Sequence, residues 1–137
     1  MNLKFETINF EIIENIAIIR LNRPNSYNSL NAKMAKELLE ISYECDSNKK
    51  IRAIILTGEG DRAFCAGGDL HSFAHLEKKV ASHLKEVTTS LHGAISRLSR
   101  MNAPLIVAVN GVAAGAGFSF VGFADIVIAS SYASFVS

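Results

Sequence analysis

Two glycine-rich turns constrain the fold of this 137-residue chain more than any other feature. The first covers residues 66–68, in the stretch DRAFCAGGDL, and the second covers residues 115–117. Each follows a buried strand pattern, presents only small residues and leads into a helix pattern. Strands and helices that alternate in this way are typical of an α/β fold with parallel strands. The sequence therefore predicts two strand-to-helix junctions without bulky side chains.

Apolar spacing predicts the elements around these turns. Alternation predicts a hairpin of strands at residues 8–12 and 16–21, and residues 51–58 have the pattern of a buried strand. Asn31 can cap a helix whose apolar face is Met34, Leu38, Ile41 and Cys45. A short helical segment near residues 70–76 precedes a long helix with the apolar stripe Val80, Leu84, Val87, Leu91, Ile95 and Leu98. Buried strands are also predicted in LIVAV and DIVIA, and another strand begins in YASFV.

Composition and charge exclude several classes of protein. The apolar stretch at 105–129 is interrupted by Asn110 and Asp125, which favours strand, loop, helix and strand over a membrane span. The N-terminal MNLKFETINF lacks the apolar core of a signal peptide. A net charge of +1 without a basic stripe speaks against nucleic acid as a partner. Cys45 and Cys65 make no disulfide framework and suit a reducing compartment, so we expect a cytoplasmic protein with no membrane partner.

Three phosphate or hydrolase motifs fail at the glycine turns. A dinucleotide fingerprint needs a third glycine where Phe120 stands. A P-loop needs a lysine, which neither turn has. A nucleophile elbow around Ser119 needs a glycine where Val121 stands. Ser119 is therefore interpreted as a polar residue on a short helix.

A metal site is not predicted. His71 and His75 have a spacing that can hold zinc on a helix, with Asp69 just before them, but no third ligand is obvious. Asp69 is better placed to cap the helix that starts after it. Cys65 has no histidine beside it in sequence and is interpreted as a small residue that packs the turn.

The bare turns leave two interpretations open. One N–H group from each turn could converge on a single oxygen, which would make an oxyanion hole entirely of backbone. Alternatively, both turns only connect strands to helices tightly. Spacing alone does not choose between them.

A family resemblance favours the first interpretation. FCAGGDL and APLIVAVNGVAAGAGFSFVGFADIVIA look like the two signature segments of the crotonase superfamily, the enoyl-CoA hydratase/isomerase family. LNRPNSYNSLN resembles that family's N-terminal loop. The resemblance covers nearly the whole chain. It implies a single crotonase-like domain over residues 1–137, built as a spiral of ββα units. It also implies an acyl-CoA thioester as substrate, with coenzyme A part of that substrate and no separate cofactor or metal.

The resemblance also implies roles for individual residues. The backbone N–H groups of Gly68 and Ala116 fall on the two oxyanion donors. Ala66 falls in the loop that contacts the adenine end of coenzyme A, and the loop carrying Arg23 and Asn28 resembles the one along the coenzyme A path. The residues implied in substrate binding are therefore Ala66, Gly67, Arg23, Asn28 and Gly115.

The sequence departs from the hydratase pattern at the acid and base. Ser119 stands where hydratases carry the first of two glutamates, and the second would lie past Ser137. Family members are roughly twice as long, so the chain resembles an N-terminal half whose C-terminal part is missing. His92 lies on the long helix near the implied site, but it is offset from the apolar stripe and is interpreted as solvated.

Two classes of function remain at this point. The leading one is an enzyme that hydrates or isomerises enoyl-CoA, closer to the isomerase-like branches because Ser119 replaces the glutamate. The alternative is a non-catalytic coenzyme A-binding or vestigial protein that lacks the acid and base. The family resemblance implies a homotrimer or a dimer of trimers for a complete chain. The high apolar content, 49%, also predicts self-association.

Overall fold

A computed structural model describes residues 4–137 of the chain. The first three residues of the predicted domain 1–137, which begin the stretch MNLKFETINF, lie outside the described residues. The strands are β1 Ile8–Ile13, β2 Ile16–Leu21, β3 Ala53–Gly58, β4 Ala63–Cys65, β5 Leu105–Val109, β6 Val112–Ala114, β7 Ile126–Ala129 and β8 Ser134–Val136. The helices are α1 Ala32–Ser47, α2 Leu70–Ala74, α3 Val80–Arg100 and α4 Ala116–Phe123, and Pro24–Ser26 and Glu77–Lys79 form short 3-10 turns.

The strands form two sheets, as a spiral of ββα units requires. A five-stranded sheet has the order β1-β2-β3-β5-β7, and a three-stranded sheet has the order β4-β6-β8. From β3 onward, each pair of consecutive strands sends its first member to the large sheet and its second to the small one. All pairings are parallel except the β1–β2 hairpin. The predicted α/β fold with parallel strands and repeated ββα units is confirmed.

The N-terminal hairpin and α1 form as the sequence predicts. Glu14 and Asn15 turn the hairpin with φ angles of 50° and 68°, values that asparagine tolerates better than most residues. The side chain of Asn31 accepts a hydrogen bond of 2.9 Å from the Met34 N–H and so caps α1. The predicted apolar face of α1 is buried. It packs against α3 and the large sheet, where the main core lies.

The apolar stripe of α3 is buried only in its C-terminal part. Val87, Leu91, Ile95 and Leu98 are buried, whereas Leu84 is 39% exposed. The first turns of α3 follow the short helix α2, and only a small cluster around Phe73 and Val87 packs there. The apolar periodicity therefore predicted α3 and its buried face correctly. How deeply each residue of that face is buried depends on the elements packed against it.

Several strand predictions need correction. The strand predicted at 51–58 begins at Ala53, and the three-residue strands β4 and β6 were not predicted as separate strands. The segment DIVIA forms strand β7 as predicted, but β7 is exposed rather than buried, with Ile128 60% accessible. It is the last strand of the large sheet, and all four of its residues are exposed. Apolar composition alone cannot distinguish a covered strand from an uncovered one.

The apolar segment at 105–129 folds as strand, loop, helix and strand, as predicted. It contains β5, β6, α4 and β7. None of the helices within residues 4–137 has the length and apolar character needed to cross a membrane.

Candidate active site

The two glycine turns lie side by side because β4 and β6 are parallel neighbours. Ala63 pairs with Val112 and Cys65 with Ala113, so both strands end at the same edge of the small sheet. The turns that follow touch each other. A Cβ placed on Gly67 would lie 3.3 Å from the Ala114 carbonyl oxygen and 3.6 Å from Gly115 Cα. The sequence could not show this contact, since it joins residues almost fifty positions apart.

Glycine is required here by backbone conformation and by close packing. Gly67 has φ 102° and Gly115 has φ 53°, a region that L side chains rarely adopt. Gly117, in the first turn of α4, packs against β4, and a Cβ there would collide with the Cys65 carbonyl oxygen. The start of α4 is thereby held against the end of β4 without any intervening side chain.

Gly68 presents its N–H group away from the loop beside it. An isolated parallel bridge joins Gly68 to Leu30. Its bonds run from Leu30 N–H to the Gly67 carbonyl at 2.7 Å and from Asp69 N–H to the Leu30 carbonyl at 2.8 Å. In such a parallel bridge the two bonded groups belong to Gly67 and Asp69, the residues on either side of Gly68. The N–H of Gly68 itself therefore points away from Leu30. Gly68 is exposed, and its N–H has no hydrogen-bond partner among residues 4–137.

Ala116 presents the second N–H group. It is the first residue of α4, after the N-cap Gly115, and the first N–H groups of a helix have no partner inside the helix. No other acceptor within the described chain bonds to the Ala116 N–H. The amide groups of Gly68 and Ala116 are therefore both available to a ligand at the edge of the small sheet.

The loop carrying Arg23 and Asn28 lies against the first glycine turn. Asn28 is fully buried; its Oδ1 accepts from the Arg23 N–H at 2.8 Å, and its Nδ2 donates to the carbonyls of Glu59 and Ala63. The Arg23 guanidinium donates to Asp69 Oδ2 at 2.9 Å and to the Ser29 carbonyl at 2.6 Å. Both side chains thus bond inside the protein, and their implied contact with a substrate stays a prediction.

Ala66 is exposed beside this loop. Its N–H donates to the Tyr27 carbonyl at 3.1 Å, whereas no donor to the Ala66 carbonyl is found within residues 4–137. A ligand that meets the backbone of Ala66 would therefore meet an acceptor. Its binding role also stays a prediction.

A cavity of about 510 Å³ lies between α3 and α4 and reaches the second glycine turn. Leu91, Ile95 and Phe123 give it apolar walls, and Ala116 is at its margin. The remaining lining residues, all polar, are Thr88, His92, Ser96, Ser99, Arg100 and Ser119. No carboxylate lines the cavity in the described chain. Sequence reasoning placed only His92, Ala116 and Ser119 near the site, and it assigned Leu91 and Ile95 to the apolar stripe of α3. It missed the other lining residues because helical spacing does not tell which helix lies opposite.

The remaining chemistry-bearing side chains are placed as follows. Ser119 is exposed, and its Oγ lies 3.5 Å from the Gly115 carbonyl oxygen one turn earlier in α4. His92 is exposed on α3, and His71 and His75 are exposed in and just after α2. No cluster of three potential metal ligands occurs among residues 4–137.

Two groups near the first turn have shifted pKa values. Burial raises the pKa of the Cys65 thiol to about 11, although a backbone hydrogen bond from Gly67 opposes the shift. Burial also tends to raise the pKa of Asp69. The hydrogen bond from Arg23, those from the backbone of Ser72 and His71, and the positive charge of Arg23 together hold it below the ordinary value. Asp69 also caps α2 as predicted, since its Oδ1 accepts from the Ser72 N–H at 3.3 Å.

Comparisons with known proteins find similarity to one enzyme family. The model of the enoyl-CoA hydratase/isomerase family matches residues 11–137. A protein of Rhodobacter capsulatus named "Probable enoyl-CoA hydratase" is 40% identical over 134 residues, which are 98% of this chain and 50% of that protein. The 1,2-epoxyphenylacetyl-CoA isomerase of Escherichia coli is 38% identical over 132 residues, which are 96% of this chain and 50% of the isomerase.

Solved structures show the same fold. The crystal structure of an enoyl-CoA hydratase from Bacillus anthracis has a TM-score of 0.84 and 30% identity, over 96% of this chain and 50% of that one. The chain spans about half the length of the curated relatives it matches.

Proposed function

The chain belongs to the enoyl-CoA hydratase/isomerase family, and from that premise we propose that the protein binds acyl-CoA thioesters and stabilises a thioester enolate. The proposed oxyanion hole consists of the N–H groups of Gly68 and Ala116. The observation that carries the proposal is the contact between Gly67 and Gly115, which brings two turns with unpartnered amides to one edge of the small sheet.

The proposed chemistry rests on preorganised donors. When a proton leaves the carbon next to the thioester carbonyl, or when a nucleophile adds to the conjugated double bond, negative charge develops on the carbonyl oxygen. Two N–H groups fixed before the reaction stabilise that charge without reorganising, which is why such donors are effective in a site shielded from water. The first N–H groups of α4 also carry the partial positive charge of the helix.

Hydration and double-bond isomerisation both fit an enolate. We favour isomerisation because hydration in this family uses two glutamates, and Ser119 occupies the position of the first. Within residues 4–137, none of the residues lining the cavity has a carboxylate side chain. The proposal therefore assigns oxyanion stabilisation to this part of the protein and assigns no residue in it to proton transfer.

Of the residues that the family resemblance implies in binding, the proposal places Ala66, Gly67 and Gly115 beside the substrate, and gives Arg23 and Asn28 a supporting role. The carbonyl of Ala66 and the backbone of Gly67 and Gly115 lie next to the two donors, and the apolar walls of the cavity between α3 and α4 suit the acyl part of the substrate. Arg23 and Asn28 belong to the loop that supports the first turn. The proposal includes no metal and no cofactor beyond the coenzyme A of the substrate.

We further propose a homo-oligomeric protein, a homotrimer or a dimer of trimers, in the cytoplasm. Support for association comes from the high apolar content of the chain, 49%. Support for a reducing compartment comes from two buried free thiols, Cys45 and Cys65.

Product analysis tests the proposal. The full encoded protein is mixed with 3-butenoyl-CoA or with crotonyl-CoA, and the products are followed by proton NMR. We expect 3-butenoyl-CoA to be converted into crotonyl-CoA, and hydration would appear as 3-hydroxybutyryl-CoA. Binding of both thioesters without any conversion would support a coenzyme A-binding protein instead, and absence of binding would overturn the proposal.

A further inference from the structure

We propose that the ion pair between Arg23 and Asp69 is a positioning device that fixes the direction of the Gly68 N–H. This inference rests on the proposed function, because it assigns Arg23 and Asp69 a part in oxyanion stabilisation without contact to the substrate. Arg23 comes from the loop after β2, and Asp69 directly follows Gly68. The pair therefore connects Asp69, the neighbour of the proposed donor, to a separate loop 46 residues earlier.

The geometry of the pair is that of a shielded, well-directed contact. Arg23 Nη2 lies 2.9 Å from Asp69 Oδ2, and the two side chains are only 20% and 11% exposed. The second guanidinium nitrogen, Nη1, donates to the Ser29 carbonyl at 2.6 Å and lies 3.4 Å from the Ser29 hydroxyl. The planar guanidinium thus binds two partners at fixed angles, which a lysine could not reproduce.

Both ends of the pair are themselves fixed. Asn28 holds the Arg23 backbone through its buried side chain, and Tyr27 and Asn28 adopt left-handed φ angles of 54° that this loop imposes. At the other end, Oδ1 of Asp69 caps α2 through the Ser72 N–H while Oδ2 receives Arg23. Each oxygen of the Asp69 carboxylate therefore accepts from a different partner.

Gly68 lies between these fixed points. Asp69 makes two contacts here: its side chain accepts from Arg23, and its N–H donates to the Leu30 carbonyl. The second contact is one of the two bridge bonds that direct the Gly68 N–H outward. If Asp69 loses Arg23, it keeps its helix cap but loses its side-chain link to the loop of Leu30. The peptide of Gly68 has no side chain to hold it, so we expect its N–H to be misdirected.

Two readouts test this role, one of which does not depend on activity. In Arg23→Gln and Asp69→Asn, the amide resonance of Gly68 in nitrogen-15 NMR spectra should shift. The value of kcat for the proposed acyl-CoA reaction should fall up to about 10²-fold, the scale of a misplacement of roughly 1 Å. KM should change little, since the affected contact forms in the transition state. Asp69→Asn keeps an N-cap acceptor, so α2 should persist.

Matched variants make the outcome decisive. Arg23→Lys keeps the positive charge but cannot bind both partners through a planar guanidinium. It should give a Gly68 shift and a kcat between those of the wild type and Arg23→Gln. Arg20→Gln removes the exposed Arg20–Glu59 pair, whose partners are 3.8 Å apart, and should leave both readouts unchanged. If Gly68 and kcat stay as in the wild type in folded Arg23→Lys and Asp69→Asn, the inference is wrong. If the wild type converts no thioester, the proposed function fails, whereas the Gly68 resonance still decides whether the pair positions this amide.

Discussion

Gly67 and Gly115 pack backbone against backbone across the ends of β4 and β6, since a Cβ on Gly115 would lie 3.5 Å from Gly67 Cα. The two turns are therefore in direct contact through main-chain atoms, with no flexible side chain between them. A displacement of one turn must shift the other. Such rigid coupling suits a site built from two amide donors, whose value depends on where they point before the substrate arrives.

The close packing of Gly117 against Cys65 predicts that alanine substitution will change stability very differently at two glycines of α4. Gly117→Ala places a methyl group against the Cys65 carbonyl oxygen and should lower the free energy of unfolding by roughly 1–3 kcal/mol or more. A Cβ on Gly122 would have no atom of the described chain within 4 Å outside its own helix, so Gly122→Ala should be neutral or stabilising by up to about 1 kcal/mol. Chemical denaturation of the two variants tests this. Equal stability would show that α4 is not held against β4.

Neither cysteine should react in the native protein at neutral pH. Burial raises the pKa of Cys65 to about 11, and burial together with the Glu44 charge raises that of Cys45 to about 12. Only the thiolate is nucleophilic, so a disulfide reagent should label neither thiol at pH 7.5 but both in denaturant. A thiol that reacts rapidly in the folded protein would contradict this prediction.

The Arg23–Asp69 pair predicts a specific dependence of stability on pH. The pKa of Asp69 is lowered in the folded protein, whereas an unfolded aspartate has a pKa of about 3.9. Its contribution to stability is therefore present above about pH 4. That contribution is lost as the pH falls through the folded-state value. On acidification, the free energy of unfolding should therefore fall less in Asp69→Asn than in the wild type. A pH profile of denaturation that is the same for both proteins would argue against the pair.

Replacing Ser119 should have little effect on activity. Ser119 is exposed, and among residues 4–137 the one hydrogen-bond contact of its hydroxyl is with the Gly115 carbonyl at 3.5 Å. A serine hydroxyl is also a poor acid or base at neutral pH. Ser119→Ala should therefore keep a kcat/KM close to that of the wild type, with stability changed by no more than about 0.5 kcal/mol. Steady-state kinetics with the acyl-CoA converted by the wild type check this. Loss of turnover in a folded variant would make Ser119 the reactive group.

Much of the fold could be predicted from local patterns. The cap at Asn31 and the spacing of Met34, Leu38 and Ile41 predicted α1 correctly, because capping and helical periodicity are properties of neighbouring residues. The strands β4 and β6 have three residues each, too few for any periodicity to be detected. The exposure of β7 depends on what covers the sheet, which its own sequence does not encode.

The sequence indicated where the candidate site lies but not what supports it. Small residues before a helix pattern singled out the turns at 66–68 and 115–117. The family resemblance implied Gly68 and Ala116 as the donors, a role that stays a prediction, and their amides are unpartnered in the described chain. The pairing of Arg23 with Asp69 joins side chains 46 residues apart, and only the folded chain brings them together. The opposite wall of the cavity, including Arg100, depends in the same way on how α3 lies against α4.

The proposed oxyanion hole is tested most directly by removing each donor without adding charge. Ala116 is the first residue of α4, a position that favours proline, so Ala116→Pro deletes the N–H while the helix is kept. Gly68→Pro deletes the other N–H. The controls Ala116→Gly and Gly68→Ala keep both N–H groups. A Cβ at Gly68 would make an ordinary van der Waals contact of 3.6 Å with Phe73.

The decisive quantity is kcat for the acyl-CoA substrate in the four variants, each shown to be folded by circular dichroism. We expect each proline variant to lose roughly 10²–10³ in kcat, as other enzymes do without one oxyanion donor. Each control should stay within a small factor of the wild type. If folded Ala116→Pro and Gly68→Pro proteins have the kcat of the wild type, the oxyanion is stabilised by other groups and the proposed oxyanion hole is wrong.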